Sequence, residues 1–340
     1  MKMHETEIEV KSPDGKSALL LSGDKNSISV AHRETDHGVK FEATVDLRPG
    51  TPALEGLHHF LQGVVEPDSL TPITSQRLTN LGHRSQQPMR RLSGVVLQAL
   101  EVLLTSAEYT NFTYDLWSTS KKYLAHTTAM ATRSTPDKIQ TYIEEAEQDE
   151  TLHQHIINMT AALPDHVRAG SDDEIRFGRR LGWYAVVRAI KPKFVVETGL
   201  DKGLGAVLLC AALKRNSEDG KPGRYLGTDI NPAAGYLLAP PYDEFGEIAF
   251  GDSLESLAKI TDDIDVFVND SDHSEDYEAA EYACVAPRLS EGAVVIGDNA
   301  HTTSKLVDFA EESGRQFLYW QEKPAGHWYP GGGIGFAFQQ

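Results

Sequence analysis

The chain has 340 residues, 40% hydrophobic and 8% aromatic, ordinary values for a protein that buries a core. That length exceeds one typical domain and suits a large domain with an extension, or two domains. A formal net charge of -18 repels nucleic acid and anionic membrane, so neither is expected as a partner.

Up to about residue 50, apolar and polar positions alternate in EIEVKS, ALLLSG, SISVAH and VKFEATVDL, with PDG and GDKN between them. This is the grammar of short antiparallel strands and tight turns, giving an accessory β segment over 1–53. From Leu54 to about 170 the pattern turns helical, most clearly in GVVLQALEVLLTSAE and DKIQTYIEEAEQDETLHQHIINM. Pro67, Pro72 and Pro88 break its first part into short pieces. This extension is expected to act as a lid or as a homo-oligomer surface. In NFTYDLW, the aromatics Phe112, Tyr114 and Trp117 are expected to pack a core, or to line a pocket if the segment folds over the strand ends. The acidic run IEEAEQDE reads as a solvated helix face. SDDEIRFGRRLGWYAVVRAIKP then reads as one helix, with Ser171 as N-cap, acids in the first turn and Pro192 at its end.

Over the remainder, from 171 to the C-terminus, strand and helix alternate after that helix. The strands are KFVVETG, RYLGTDI, EIAFGD, IDVFVND, GAVVIGDN, RQFLYWQ and GIGFAFQ. The expected fold class is α/β: a doubly wound, mostly parallel seven-stranded Rossmann-like sheet covered on both faces. The last two strands have no crossover helix between them and must be antiparallel. The two cysteines, Cys210 and Cys284, sit in apolar helical patterns and read as buried thiols of a reducing compartment. The opening MKMHETEIEV lacks the apolar stretch of a signal peptide and nothing resembles a membrane span, so a cytoplasmic protein is expected.

In open α/β sheets, ligands bind beyond the carboxyl ends of the strands. The first strand delivers Glu197, Thr198, Gly199 and Asp201, and Gly203 and Gly205 open the next helix. The second delivers Asp229, Ile230 and Asn231, and the third Gly251, Asp252 and Ser253. The fourth ends in Asn269, Asp270, Asp272 and His273, and the fifth in Asp298, Asn299 and His301. A rim acidic at every strand suits a cationic ligand, a metal, or both. Asp229 is placed to accept ribose hydroxyls, a role shared by NAD and S-adenosylmethionine sites. A pyrophosphate needs bare backbone N–H groups at the glycine turn, whereas Glu197 and Asp201 favour an ammonium and a sulfonium. An NAD-type oxidoreductase and a non-catalytic cofactor-binding or interaction protein remain as alternatives.

With these residues in view, the chain resembles the class I S-adenosylmethionine-dependent methyltransferases from about Ser171 to its end. ETGLDKG-LG resembles the cofactor-cradling motif with a longer glycine spacing, GTDINP the ribose acid, and GDSLE the adenine-reading segment. FVNDSDHSEDYEAAEY and VVIGDNAH look like the macrocin-type bacterial small-molecule O-methyltransferases, and more distantly like divalent-metal catechol methyltransferases. The resemblance implies methyl transfer to the hydroxyl of a sugar or natural product. It also implies magnesium or manganese on Asp270, Asp298 and Asn299, although the lysine expected beyond the fourth-strand acid is replaced by His273 and Ser274. Without a metal, Asp298 and Asn299 would cap the next helix and Asp270 would bond the cofactor loop. His273 or His301 would take the acceptor's proton, or else cap a helix and lie in solvent. His327, Trp328 and Tyr329 before Gly331, Gly332 and Gly333 read as a turn into the last strand, or else as a substrate contact.

Overall fold

The computed structural model describes residues 6–11, 17–24, 27–34, 38–46, 114–164, 168, 175–325, 329 and 331–339. By its internal contacts the chain divides into two compact units, Met1–Ser106 and Ala107–Gln340.

In the first unit, β1 (Thr6–Lys11), β2 (Ser17–Asp24), β3 (Ser27–Glu34) and β4 (Gly38–Asp46) pair in chain order as an antiparallel meander. Asp24 pairs with Ser27 and Glu34 with Gly38; PDG and the second half of GDKN lie outside the described residues. GVVLQALEVLLTSAE, the three prolines and Phe112 lie outside the described residues.

The second unit opens with a two-residue strand, β5 (Asp115–Leu116), and three helices, α1 (Ser118–Ala131), α2 (Pro136–Glu147) and α3 (Glu150–Ala161). Thr135 caps α2, with Pro136 in its first turn. The helical pattern of DKIQTYIEEAEQDETLHQHIINM is divided between α2 and α3 at Asp149, whose carboxylate accepts from Leu152 N at 3.0 Å and starts α3. IEEAEQDE is not simply a solvated face either. Glu145 accepts from the Tyr184 hydroxyl and from Arg188 Nε, each at 2.6 Å, tying α2 to the helix behind it.

That helix, α4 (Arg180–Ile190), is shorter than the sequence implies. Ile175 and Phe177 are buried outside any helix, and Gly178 adopts φ +51 where a Cβ would lie 2.5 Å from the Tyr114 ring. A left-handed residue cannot continue an α-helix, so the helix starts after it with Arg179 at its cap position, and Ser171 lies outside the described residues. The sequence-predicted end stands: Lys191 turns left-handed immediately before Pro192.

The remaining elements are β6 (Phe194–Thr198), α5 (Leu204–Glu218), β7 (Arg224–Asp229), β8 (Gly246–Phe250), α6 (Ser253–Leu257), β9 (Ile264–Asn269), α7 (Glu275–Val285), β10 (Leu289–Asp298), α8 (Lys305–Glu312), β11 (Gln316–Gln321), β12 (Pro324–Ala325) and β13 (Gly333–Phe338). Seven strands form one sheet in the order β11-β13-β10-β9-β6-β7-β8, and β12 pairs separately with β5. β13 runs antiparallel between β10 and β11, while β10, β9, β6, β7 and β8 are parallel. Every residue of β6 and β13 is buried. Val195, Val266 and Ile296 pack on the face of α4 and α5, and Val196, Phe267 and Val295 on that of Tyr282 and Phe309. Full burial of each such side chain contributes about 1.5–3 kcal/mol, which explains their unbroken apolar runs. Cys210 is buried and Cys284 partly so, both as free thiols. Among the described residues, no helix is long and apolar enough to cross a membrane.

Candidate functional site

The order of strands reverses between β6 and β9, and their carboxyl ends diverge into a cavity of about 750 Å³. It is floored by Gly199, Asp229, Gly251, Ser253 and Asp270 and walled by Arg179, Arg180, Asp252, His273, Asn299 and Tyr329.

Gly199 makes the first turn. Its φ is +79, and a Cβ there would stand 2.1 Å from the Asp270 carbonyl oxygen, so only glycine lets β6 and β9 end side by side. Asp229 then fixes the loop from below: its Oδ2 accepts from Leu200 N at 2.8 Å and Asp201 N at 3.0 Å, and its Oδ1 from Asn231 N at 2.7 Å. Asp252 caps α6 through Leu254 N at 2.8 Å and accepts from the Tyr277 hydroxyl at 3.1 Å.

Of the residues predicted to hold the cofactor, Gly199, Asp201, Asp229, Ile230, Asn231, Gly251, Asp252, Ser253 and Asp270 line the cavity. Glu197, Thr198, Gly203, Gly205 and Asn269 do not. Glu197 is 1% exposed, and its carboxylate accepts from the Tyr225 hydroxyl at 2.6 Å beneath the turn. Burial pushes it up to about 7 despite that hydrogen bond. Gly205 makes room for it, since a Cβ would come within 2.2 Å of Glu197 Oε1. Thr198 and Asn269 instead donate to Glu281, a buried carboxylate that also accepts from Ser253 and, at 2.8 Å, from Ser271. Glu281 thus joins the ends of β6 and β9 to two cavity residues. Its signal in EDYEAAEY was slight, a glutamate three positions after Glu278, both turned inward.

The larger omission is a pair of arginines. Arg179 is 3% exposed and grips Asp298 with two parallel bonds, Nε to Oδ1 and Nη2 to Oδ2, the latter at 2.6 Å. Its Nη1 donates to the Tyr114 hydroxyl at 2.7 Å and to Glu322 Oε1 at 3.2 Å. Arg180 Nη2 lies 3.5 Å from Asp270 Oδ2. Burial alone would raise Asp298, but Arg179 holds it down to about 2, while burial and the nearby Asp298 push Asp270 upward. Tyr114 is therefore core, as expected of NFTYDLW, whereas Trp117 is exposed.

Asp270, His273 and Asp298 each bring one donor atom within 4.8 Å of the others. Asn299, predicted as the third ligand, is engaged elsewhere: Tyr329 donates to its Oδ1 at 3.1 Å, and its Nδ2 faces His273 Nε2 at 3.4 Å. Asn299 holds φ +48 to do so. His273 lines the cavity; His301 is exposed outside it, beside Gly332. His327 and Trp328 lie outside the described residues.

Residues 196–300 match the model of a family described as a methyltransferase domain. No curated protein matches the chain. Similar solved structures include an O-methyltransferase from Bacillus cereus in complex with SAH, at 17% identity over 57% of this chain and 92% of that one, with a TM-score of 0.42. Another is the O-methyltransferase TomG from Streptomyces achromogenes in complex with SAM, at 16% identity over 57% and 91% of the two chains and a TM-score of 0.42. A third is described as a putative O-methyltransferase from Klebsiella pneumoniae, at 16% identity over 56% and 90%, with a TM-score of 0.43.

Proposed function

We propose, from the premise that residues 196–300 form a methyltransferase domain, that the protein moves a methyl group from S-adenosylmethionine to a hydroxyl oxygen of a small molecule such as a sugar or natural product. The carrying observation is the chemistry of the cavity around the Gly199 turn, where Asp201, Asp229 and Asp252 stand together. A dinucleotide's pyrophosphate would meet three carboxylates there; an ammonium and a sulfonium would meet partners. Gly251 also leaves space for a nucleoside at the cavity, since nothing stands within 4 Å of where its Cβ would be.

Asp229 would hold the ribose. A carboxylate offers about four acceptor sites, and the three backbone amides leave roughly one for a ribose hydroxyl. Ser253 and Asp252, steadied by Tyr277 and Glu281, would meet the base. When bound, the donor supplies an electrophilic methyl group that needs no further activation. The chain's own part is to hold the acceptor oxygen in line and to take its proton. His273 is the group for that step. Its Nε2 faces the cavity wall formed by Asn299, whose amide is itself fixed by Tyr329.

The carboxylates of the site do not suit magnesium or manganese. Both Asp298 oxygens are bonded to Arg179, and Arg180 stands beside Asp270. A divalent ion about 5 Å from a guanidinium meets about 7 kcal/mol of repulsion at an effective dielectric of about 20.

Thermal shift with S-adenosylmethionine, S-adenosylhomocysteine and NAD tests the reading. Binding to the folded state raises the melting temperature by mass action, so the two sulfur compounds are expected to do so and NAD is not. Stabilisation by NAD alone would overturn it.

A further inference from the structure

The carboxylates at the ends of β9 and β10 are grouped as if around a cation, with donor atoms of Asp270, His273 and Asp298 within 4.8 Å. The cation beside them is a side chain. We propose that the Arg179 guanidinium is the resident positive charge of this cluster, so that Asp270, Asp298 and Asn299 hold no divalent metal. Arg179 is then a positioning residue that fixes Asp298 and, through it, Asp270 beside His273. The inference rests on the methyl-transfer reading only for the reaction that the cluster serves.

Four observations carry it. The Arg179–Asp298 contact is a two-bond fork, the geometry in which a guanidinium matches a carboxylate. Asp298 is 1% exposed, which shields the pair from exchange with water or ions. The rest of the guanidinium is spoken for by Tyr114 and Glu322, and Glu322 is anchored in turn by the Tyr114 hydroxyl at 2.6 Å and Gly332 N at 2.9 Å. Arg179 is thus held by three segments of the chain, and a fourth, at Gly332, holds Glu322. Finally, Asn299 gives its Oδ1 to Tyr329, which removes the only neutral oxygen of the expected ligand set.

The charge balance agrees. Asp270, Asp298 and Glu322 bring three carboxylates and Arg179 and Arg180 two guanidiniums, leaving little net attraction for a hard dication. Magnesium is usually held through one or two carboxylates with waters completing its octahedron, and here both oxygens of Asp298 are already taken by Arg179. A covalently tethered cation cannot dissociate, so the proton acceptor's neighbourhood would be the same at any metal concentration.

Manganese titration followed by electron paramagnetic resonance, on the full chain without donor, tests this apart from turnover. The wild type is expected to show no site tighter than about 1 mM, the weak end of protein sites for hard cations. Arg179→Met is expected to uncover Asp298 and tighten manganese binding at least about tenfold. Arg179→Lys keeps the charge without the fork and is expected to stay blind to manganese. One tight manganese per wild-type chain, lost in Asp298→Asn, would overturn the proposal. So would turnover abolished by chelator and restored by magnesium. If Arg179→Met does not fold, the wild-type titration and the lysine variant still decide. A protein that ignores S-adenosylmethionine sinks the methyl-transfer reading and leaves this titration to judge the cluster on its own.

Discussion

The Tyr225 hydroxyl donates to Glu197 at 2.6 Å in the closed interior beneath the Gly199 turn, where the glutamate is sealed from the cavity that it was expected to line. Burial raises this carboxyl from its ordinary 4.5 to about 7. Below the lower value both folded and unfolded chains hold the proton. Between the two the folded chain keeps a proton that the unfolded chain releases, so stability falls as the pH rises through the folded value. The loss by about pH 8 is about 3 kcal/mol. Denaturant unfolding of the wild type and Glu197→Gln should therefore diverge from about pH 5 to about pH 8, with the variant gaining. Parallel pH profiles would remove Glu197 as the source.

Asp229 serves the loop before it serves any ligand. Replacing it by alanine strands three amides at the turn, at a cost of about 1–3 kcal/mol in stability. Calorimetry with S-adenosylmethionine should show affinity weakened at least about tenfold, from lost contact and lost loop geometry together. Wild-type affinity in Asp229→Ala would place the ribose elsewhere.

Glu281 collects hydroxyl and amide donors from Thr198, Ser253, Asn269 and Ser271. Glu281→Gln puts an N–H₂ among groups that themselves donate. The expected result is a loss of about 2–4 kcal/mol in unfolding free energy, with weaker donor binding measured on the folded fraction. Undiminished affinity would confine Glu281 to stability.

If His273 takes the acceptor's proton, His273→Gln should lower turnover about 10²–10⁴-fold and leave the donor's dissociation constant nearly unchanged. The comparison is His301→Gln, altered outside the cavity lining. A loss that follows His301 instead would reassign the proton acceptor.

The alternation of apolar runs with helical periods was sufficient for the seven-stranded sheet and its single antiparallel strand, because strand and crossover preferences are local and the connections short. The strand-end positions Gly199, Asp229, Asp252, Asp270 and His273 were legible for the same reason: a parallel sheet delivers all its carboxyl ends to one edge. What the sequence did not disclose is how those carboxylates are spent. Arg179 meets Asp298 across 119 residues and Glu322 across 143, and the left-handed Gly178, packed against the Tyr114 ring, interrupts what reads as continuous helix. Glu197 and Glu281 look like rim acids or solvent-facing helix residues until packing closes over them. Whether a carboxylate binds a ligand, an arginine or a backbone amide depends on desolvation and on partners brought from distant segments, and only the tertiary structure sets those.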